Sequence, residues 1–128
     1  GRGRARGEEA GPARVFRSPG GFEVLAGRSA AQNDRLTFSI AAPDDLWFHA
    51  SRHAGAHVVL RCGRRQVAPA DQRFAAEIAA GLSKAPEGES IEVHIARRKH
   101  VRKPKGAPAG TVTVSKGTVI RVRVRPVQ

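Results

Sequence analysis

The chain has no methionine and no tyrosine, one tryptophan (Trp47) and one cysteine (Cys62). A single thiol can neither close an internal disulfide nor supply a zinc cage, so neither kind of staple is expected to hold this fold. Such cysteine usage points to a reducing, cytoplasmic setting. No stretch approaches the roughly 18 consecutive apolar residues of a membrane span, and no charged-then-apolar leader opens the chain, so neither insertion nor export is expected. Walker-type loops, G-x-G-x-x-G, C-x-x-C and G-x-S-x-G elbows are missing from the sequence, which leaves nucleotide-dependent and nucleophilic catalysis without support. At 128 residues there is room for one core and no second catalytic domain. No enzymatic activity and no cofactor are expected.

Acid is scarce in one place. From Arg97 to the end the chain holds ten Lys/Arg and no Asp or Glu, while the first 96 residues carry 13 basic and 11 acidic groups. The net charge of +12 is therefore concentrated in the last quarter of the chain. Arg-rich composition alone would spread the charge, whereas a segregated charge is the footprint of a polyanion partner.

Residues 1–14 are Gly/Arg-rich with no large apolar side chain, and predict a disordered arm ahead of a single domain over 15–128. Val15 to Gly27 reads as two short strands about a Pro-Gly-Gly turn. Ser29 and Gln32 have capping-box spacing, and Leu36 and Ile40 share a face, so a helix is expected from Ala30 to about Ala41, before Pro43. Asp45–Ala50 and Ala56–Cys62 read as a strand pair. Pro69 with Asp71, then Phe74, Ile78 and Leu82, predict an amphipathic helix of about four turns. Alternation at Ile91/Val93/Ile95, Val112/Val114 and Ile120/Val122/Val124 adds three half-buried strands. The class expected is α+β, a largely antiparallel sheet of about seven strands with two helices.

Alternation along the first of the paired strands puts Asp45, Trp47 and His49 on one face and Leu46, Phe48 and Ala50 on the other. In its neighbour, His57, Val59 and Arg61 share a face, and hairpin pairing would set His57 near His49. Two readings compete. In one, Trp47 caps the core and Asp45 orients a histidine. In the other, Trp47 is a stacking platform for a base, and Arg61 or a histidine meets phosphate. A third reading, a small metal-dependent enzyme, makes Asp45, His49 and His57 a two-His, one-carboxylate triad, which the basic surroundings disfavour; no metal is expected. Gly27-Arg28-Ser29 ends a strand and opens a helix, a place for an anion or merely a capped terminus. Arg97, Arg98, Lys99, Arg102, Lys103 and Lys105 form a basic loop, and Arg121, Arg123 and Arg125 a row about 7 Å apart along one strand face, with no interleaved Glu.

Four segments in order, GFEVLAGRSAAQNDRLT, DLWFHA, GAHVVLR and RKPKGAPAGTV, resemble the NFACT-R domain over about Val15 to Pro126. The family occurs in large proteins of ribosome-associated quality control, once catalogued in bacteria as fibronectin-binding proteins, and also alone. The resemblance implies RNA as partner, tRNA or the large ribosomal subunit in particular, with DNA as a variant that base chemistry leaves open. Its characteristic residues fall on Gly27, Arg28, Asn33, Asp34, Asp45, Trp47, His49, Gly55 and His57. Ala56 stands where the family often has Ser, so a hydroxyl beside His57 is missing. The N-terminal and coiled-coil regions of the large proteins are not part of these residues, and binding is the activity the resemblance carries.

Overall fold

The computed structural model describes residues 13–127. Of the arm expected over 1–14, residues 1–12 lie outside the described residues, and Arg14 already belongs to the first strand. Strands β1 (Arg14–Arg17) and β2 (Glu23–Ala26) pair antiparallel across the Pro-Gly-Gly turn. Asp71, in the first turn of the long helix, accepts from the Gly20 N–H at 2.6 Å and so pins that turn to the helix. Ser29 opens helix α1 (Ala30–Arg35): its Oγ accepts from Gln32 N at 3.1 Å, and Gln32 Oε1 accepts from Arg28 N at 2.7 Å. Gln32 N is one of the donors left without an intrahelical partner at a helix start, and the return bond to Arg28 N fixes the residue ahead of the cap.

The expected helix then widens. Leu36–Ile40 form a π turn, closed by Ala41 N donating to Leu36 O. The wider turn buries Leu36 and Thr37 together but rotates Ile40 outward to 40% exposure, which corrects the expectation that Leu36 and Ile40 share a buried face. Strands β3 (Leu46–Ala50) and β4 (Val58–Leu60) follow, then α2 (Pro69–Gly81), β5 (Ser90–Arg97), a 3-10 turn at Arg98–His100, β6 (Val101–Arg102), β7 (Thr113–Val114) and β8 (Thr118–Arg123). The fold is α+β. Six strands make one antiparallel sheet in the order β1-β2-β4-β3-β5-β8, and β6-β7 form a separate two-stranded ribbon, β6 being too short to show in the sequence pattern.

The main core lies between one sheet face and α2. Val24, Phe48, Val58, Leu60, Val93 and Val122 point at Ile78 and at Ala75, Ala76, Ala79 and Ala80, whose small side chains let the helix come close to the sheet. The opposite face is also covered. Leu25, Trp47, Val59 and Ala96 meet Leu36 and Val101, with Phe38, Val112 and Val114 packed around them, so the π turn and the ribbon form a lid over the middle strands.

Trp47 is only 1% exposed and presents no face to a base, so the stacking-platform reading of this residue is corrected and the core reading stands. The second face is polar enough at Asp45 and His49 to look half-solvated in sequence, yet it is closed over by the lid. Its indole Nε1 is buried with no hydrogen-bond partner among the described residues. Phe48→Ala and Trp47→Ala should therefore each cost on the order of 3 to 5 kcal/mol in urea unfolding. Trp47→Phe should recover most of the loss, because it deletes an N–H that the fold leaves unpaired.

Candidate nucleic-acid interface

The β3–β4 register sets Leu46 opposite Leu60, Trp47 opposite Val59 and Phe48 opposite Val58. Continued one residue each way, it brings His49 to His57 and Asp45 to Arg61. The ring centroids of His49 and His57 are 5.4 Å apart, and Trp47 lies 5.9 Å from His49 in a stacked geometry and 5.2 Å from His57 edge-on. At the other end of the strand, buried Asp45 accepts from Arg61 Nε at 3.1 Å, from Ala42 N at 2.8 Å and from Gly63 N at 2.8 Å. Gly63 sits at φ +56, a left-handed position that suits glycine. The expected convergence of Asp, His, Trp and Arg thus forms as two clusters rather than one.

That separation takes apart the metal triad. The Asp45 carboxylate is engaged away from both histidines, and among the described residues no group of three or more His, Cys, Asp or Glu is placed to share a cation. His57 is itself a structural group: its Nδ1 lies 2.9 Å from Thr37 Oγ1, its backbone N donates to Asn33 Oδ1 at 3.1 Å, and Asn33 Nδ2 donates to Gly55 O at 3.3 Å. Asn33 and His57 are buried and hold the 55–57 turn against α1; His57 is enclosed, while Asn33 also reaches the wall of an opening at the α1 start. Burial drives the His57 pKa down to about 4, with His49 adding to the effect, against a hydrogen bond to the Gly110 backbone and the charge of Asp34. Burial lowers His49 as well, with help from His94 and His53.

Much of the basic run is tied down. Lys103 Nζ sits 2.9 Å from Asp34 and also donates to Pro108 O and Thr111 O, while Asp34 accepts from Gly110 N at 3.0 Å. Burial opposes ionisation of Asp34, but these bonds outweigh it and leave its pKa below the ordinary value. Arg97 donates to Asp44 O at 2.7 Å, and Arg98 donates to Thr37 O at 2.6 Å while lying over the Phe38 ring. Lys99 pairs with Asp44 at 2.8 Å. Of the expected row, Arg121 meets Glu92, its partner across the β5–β8 pair, at 3.4 Å, and Arg123 donates to Gly88 O at 2.6 Å. The acid missing from the row's own strand comes from the neighbour. Arg102, Lys105 and Arg125 are exposed and make no side-chain bond among the described residues.

Apart from an apolar hollow of about 300 Å³ beside Phe16, Phe74 and Glu77, two openings among the described residues have basic walls without a described acid. A groove of about 560 Å³ is lined by Arg64, Arg65, Arg97, Lys99, His100 and Lys116, with no Asp or Glu among the described residues of its wall. It continues into a hollow of about 430 Å³ through the shared Lys116, Gly117 and Thr118, reaching His94 and Val119 on the same β8 face as Arg121 and Arg123. The second opening, about 680 Å³, lies where the α1 start, the 54–56 turn and the 109–111 loop meet, with His49 and Arg28 on its wall. Arg64, Arg65 and Lys116 were not among the residues singled out from sequence. The only signal was two adjacent arginines after a glycine, and a lone lysine in the acid-free tail.

The model for the NFACT protein RNA binding domain matches residues 13–119. The chain belongs to this family. It is 40% identical over 101 residues to the Rqc2 homolog RqcH of Bacillus subtilis (strain 168), a match covering 77% of this chain and 17% of that protein. It is 36% identical over 113 residues to the Rqc2 homolog RqcH of Streptococcus suis (strain 05ZYH33), covering 87% and 20%. It thus spans about a fifth of these relatives' length. Its fold matches the C-terminal part of the fibronectin/fibrinogen-binding protein from Streptococcus suis with a TM-score of 0.83 and 32% identity, over 89% of this chain and 46% of that one. Among the described residues of this NFACT RNA-binding domain, no helix is long and apolar enough to cross a membrane.

The neutral His57 has a consequence for the domain's stability. Its folded pKa of about 4 lies below the unfolded value near 6.5, so the unfolded chain takes up the proton first as pH falls. The stabilisation is complete above about pH 6.5 and lost progressively toward pH 4, on the order of 3 kcal/mol. Denaturant unfolding across this range should show that falling limb, and His57→Gln should flatten it to the share contributed by His49.

Proposed function

We propose that this chain is a non-catalytic RNA-binding module of ribosome-associated quality control, holding tRNA or ribosomal RNA in the cytoplasm. The observation that carries the reading is the groove lined by Arg64, Arg65, Arg97, Lys99, His100 and Lys116, with no acid on its wall among the described residues. Arg64 and Lys116 are exposed, and neither makes a side-chain hydrogen bond or ion pair among the described residues, so their charges are available to an anion. A phosphate backbone supplies closely spaced anions and releases its counterions on contact, which makes such binding favourable without sequence recognition. Arg121 and Arg123 extend the same surface along β8, and Arg102 and Lys105 add charge from the loop that follows. Membership of an RNA-binding domain family favours RNA over DNA, and the relatives named RqcH favour the quality-control setting.

Labelled tRNA titrated by fluorescence anisotropy at several salt concentrations tests this. Log K should fall linearly with log salt, and Arg64→Gln with Lys116→Gln should lower the slope by roughly 1.4, two phosphates' worth for a single strand. A DNA duplex of matched length should bind more weakly. Unchanged slope and affinity in the double variant would remove the groove from the interface, and equal binding of DNA would reduce the protein to a general polyanion binder.

A further inference from the structure

We propose that the cavity of about 680 Å³ at the far end of β3 takes one unpaired nucleotide of an RNA strand, its base against the His49 ring and its flanking phosphates toward Arg14 and Arg28. This rests on the RNA-binding reading and adds a second, chemically different site to it. The volume falls within the roughly 300–1,000 Å³ typical of small-ligand pockets. The wall combines what a nucleotide presents: a ring for the base, hydroxyls at Ser29 and Thr111 for the sugar, two guanidinium groups for phosphate, and among the described residues no carboxylate.

His49 is the platform that Trp47 was expected to be. Trp47 lies stacked behind it at 5.9 Å and an interplanar angle of 26°, and His57 meets it edge-on at 5.4 Å, so the ring is held rather than free to rotate. Its lowered pKa keeps it uncharged at neutral pH, suited to stacking rather than to ion pairing. Bases inside a duplex are stacked on one another and cannot enter such a cavity, whereas unpaired bases in loops and ends can be splayed into it. The cavity is therefore selective for single-stranded RNA, while the basic groove meets phosphates in either form.

The test uses the full chain, a short labelled oligoadenylate and a blunt RNA duplex of equal strand length at one ionic strength. The wild-type protein should prefer the single strand. His49→Ala should weaken single-strand binding about tenfold, the scale of one lost base stack, and leave duplex affinity unchanged. Ala109→Phe, which fills the cavity from an exposed rim position, should do the same without touching the core, and decides the matter if His49→Ala does not fold. A folded Ala109→Phe that keeps the full single-strand preference overturns the proposal. So does adenosine monophosphate that binds as tightly as the oligomer, since the site would then serve a free nucleotide. The two readings separate cleanly: the groove double variant should weaken both RNAs alike and keep the preference. If the preference survives cavity filling while the groove variant still loses affinity, only the cavity assignment fails.

Discussion

Strand β3 is covered on both faces except at His49, and the rest of the molecule is arranged around that constraint. Phe48 is fully buried against α2 and Trp47 is 1% exposed under the lid. A sheet buried on both faces needs a second layer, but the segments that supply it are poor in large apolar residues: α1 buries Gln32 and Asn33, and β6 and β7 have two residues each. Their apolar contacts alone cannot hold them down. The layer is secured by hydrogen bonds and ion pairs between distant parts of the chain: Asn33 to the 55–57 turn, Asp34 to Lys103 and Gly110, Thr37 to His57 and Arg98. Each is worth little net when made, but leaving a buried partner unpaired costs more, so these clips act as a set that specifies one arrangement.

Several features were readable in the sequence because they are local. Alternation located the strands, the Ser29/Gln32 spacing marked the helix start, and the pattern around the 51–55 turn brought His49 and His57 together. The widened turn at Leu36–Ile40 was not readable, since nothing in composition separates it from an ordinary helical turn. The platform reading of Trp47 arises in the sequence because its neighbours at alternate positions, Asp45 and His49, are polar, which imitates a solvated face. The polarity of Asp45 is satisfied internally instead, by Arg61 and Gly63, while His49 borders the opening beside α1.

The basic run shows the same limit from the other side. Six cations within residues 97–105 look like an open anion site, yet four of them find partners 53 or more residues earlier: Arg97 and Lys99 at Asp44, Arg98 at Thr37, Lys103 at Asp34. Charge segregation along the chain is in part how the lid is fastened, with acids in the first half facing bases in the second. What is left for a partner is smaller than the net charge suggests: Arg102 and Lys105 of the run, with Arg64 and Lys116, which no sequence window brings together.

The proposed division of labour between the two openings then follows from their chemistry and their common support. Contacts to phosphate supply affinity but carry no information about base pairing, whereas a cavity that admits only an unstacked base discriminates while touching a single nucleotide. Leu46 lines the groove and His49 the cavity, three residues apart on one strand and on opposite faces of it. Because β3 is packed on both faces, neither opening can shift along it without breaking a core, so their spacing is set by the backbone rather than by loop motion. A single RNA strand that meets both must match that fixed distance, and the clips that hold the lid over Trp47 are what keep it fixed.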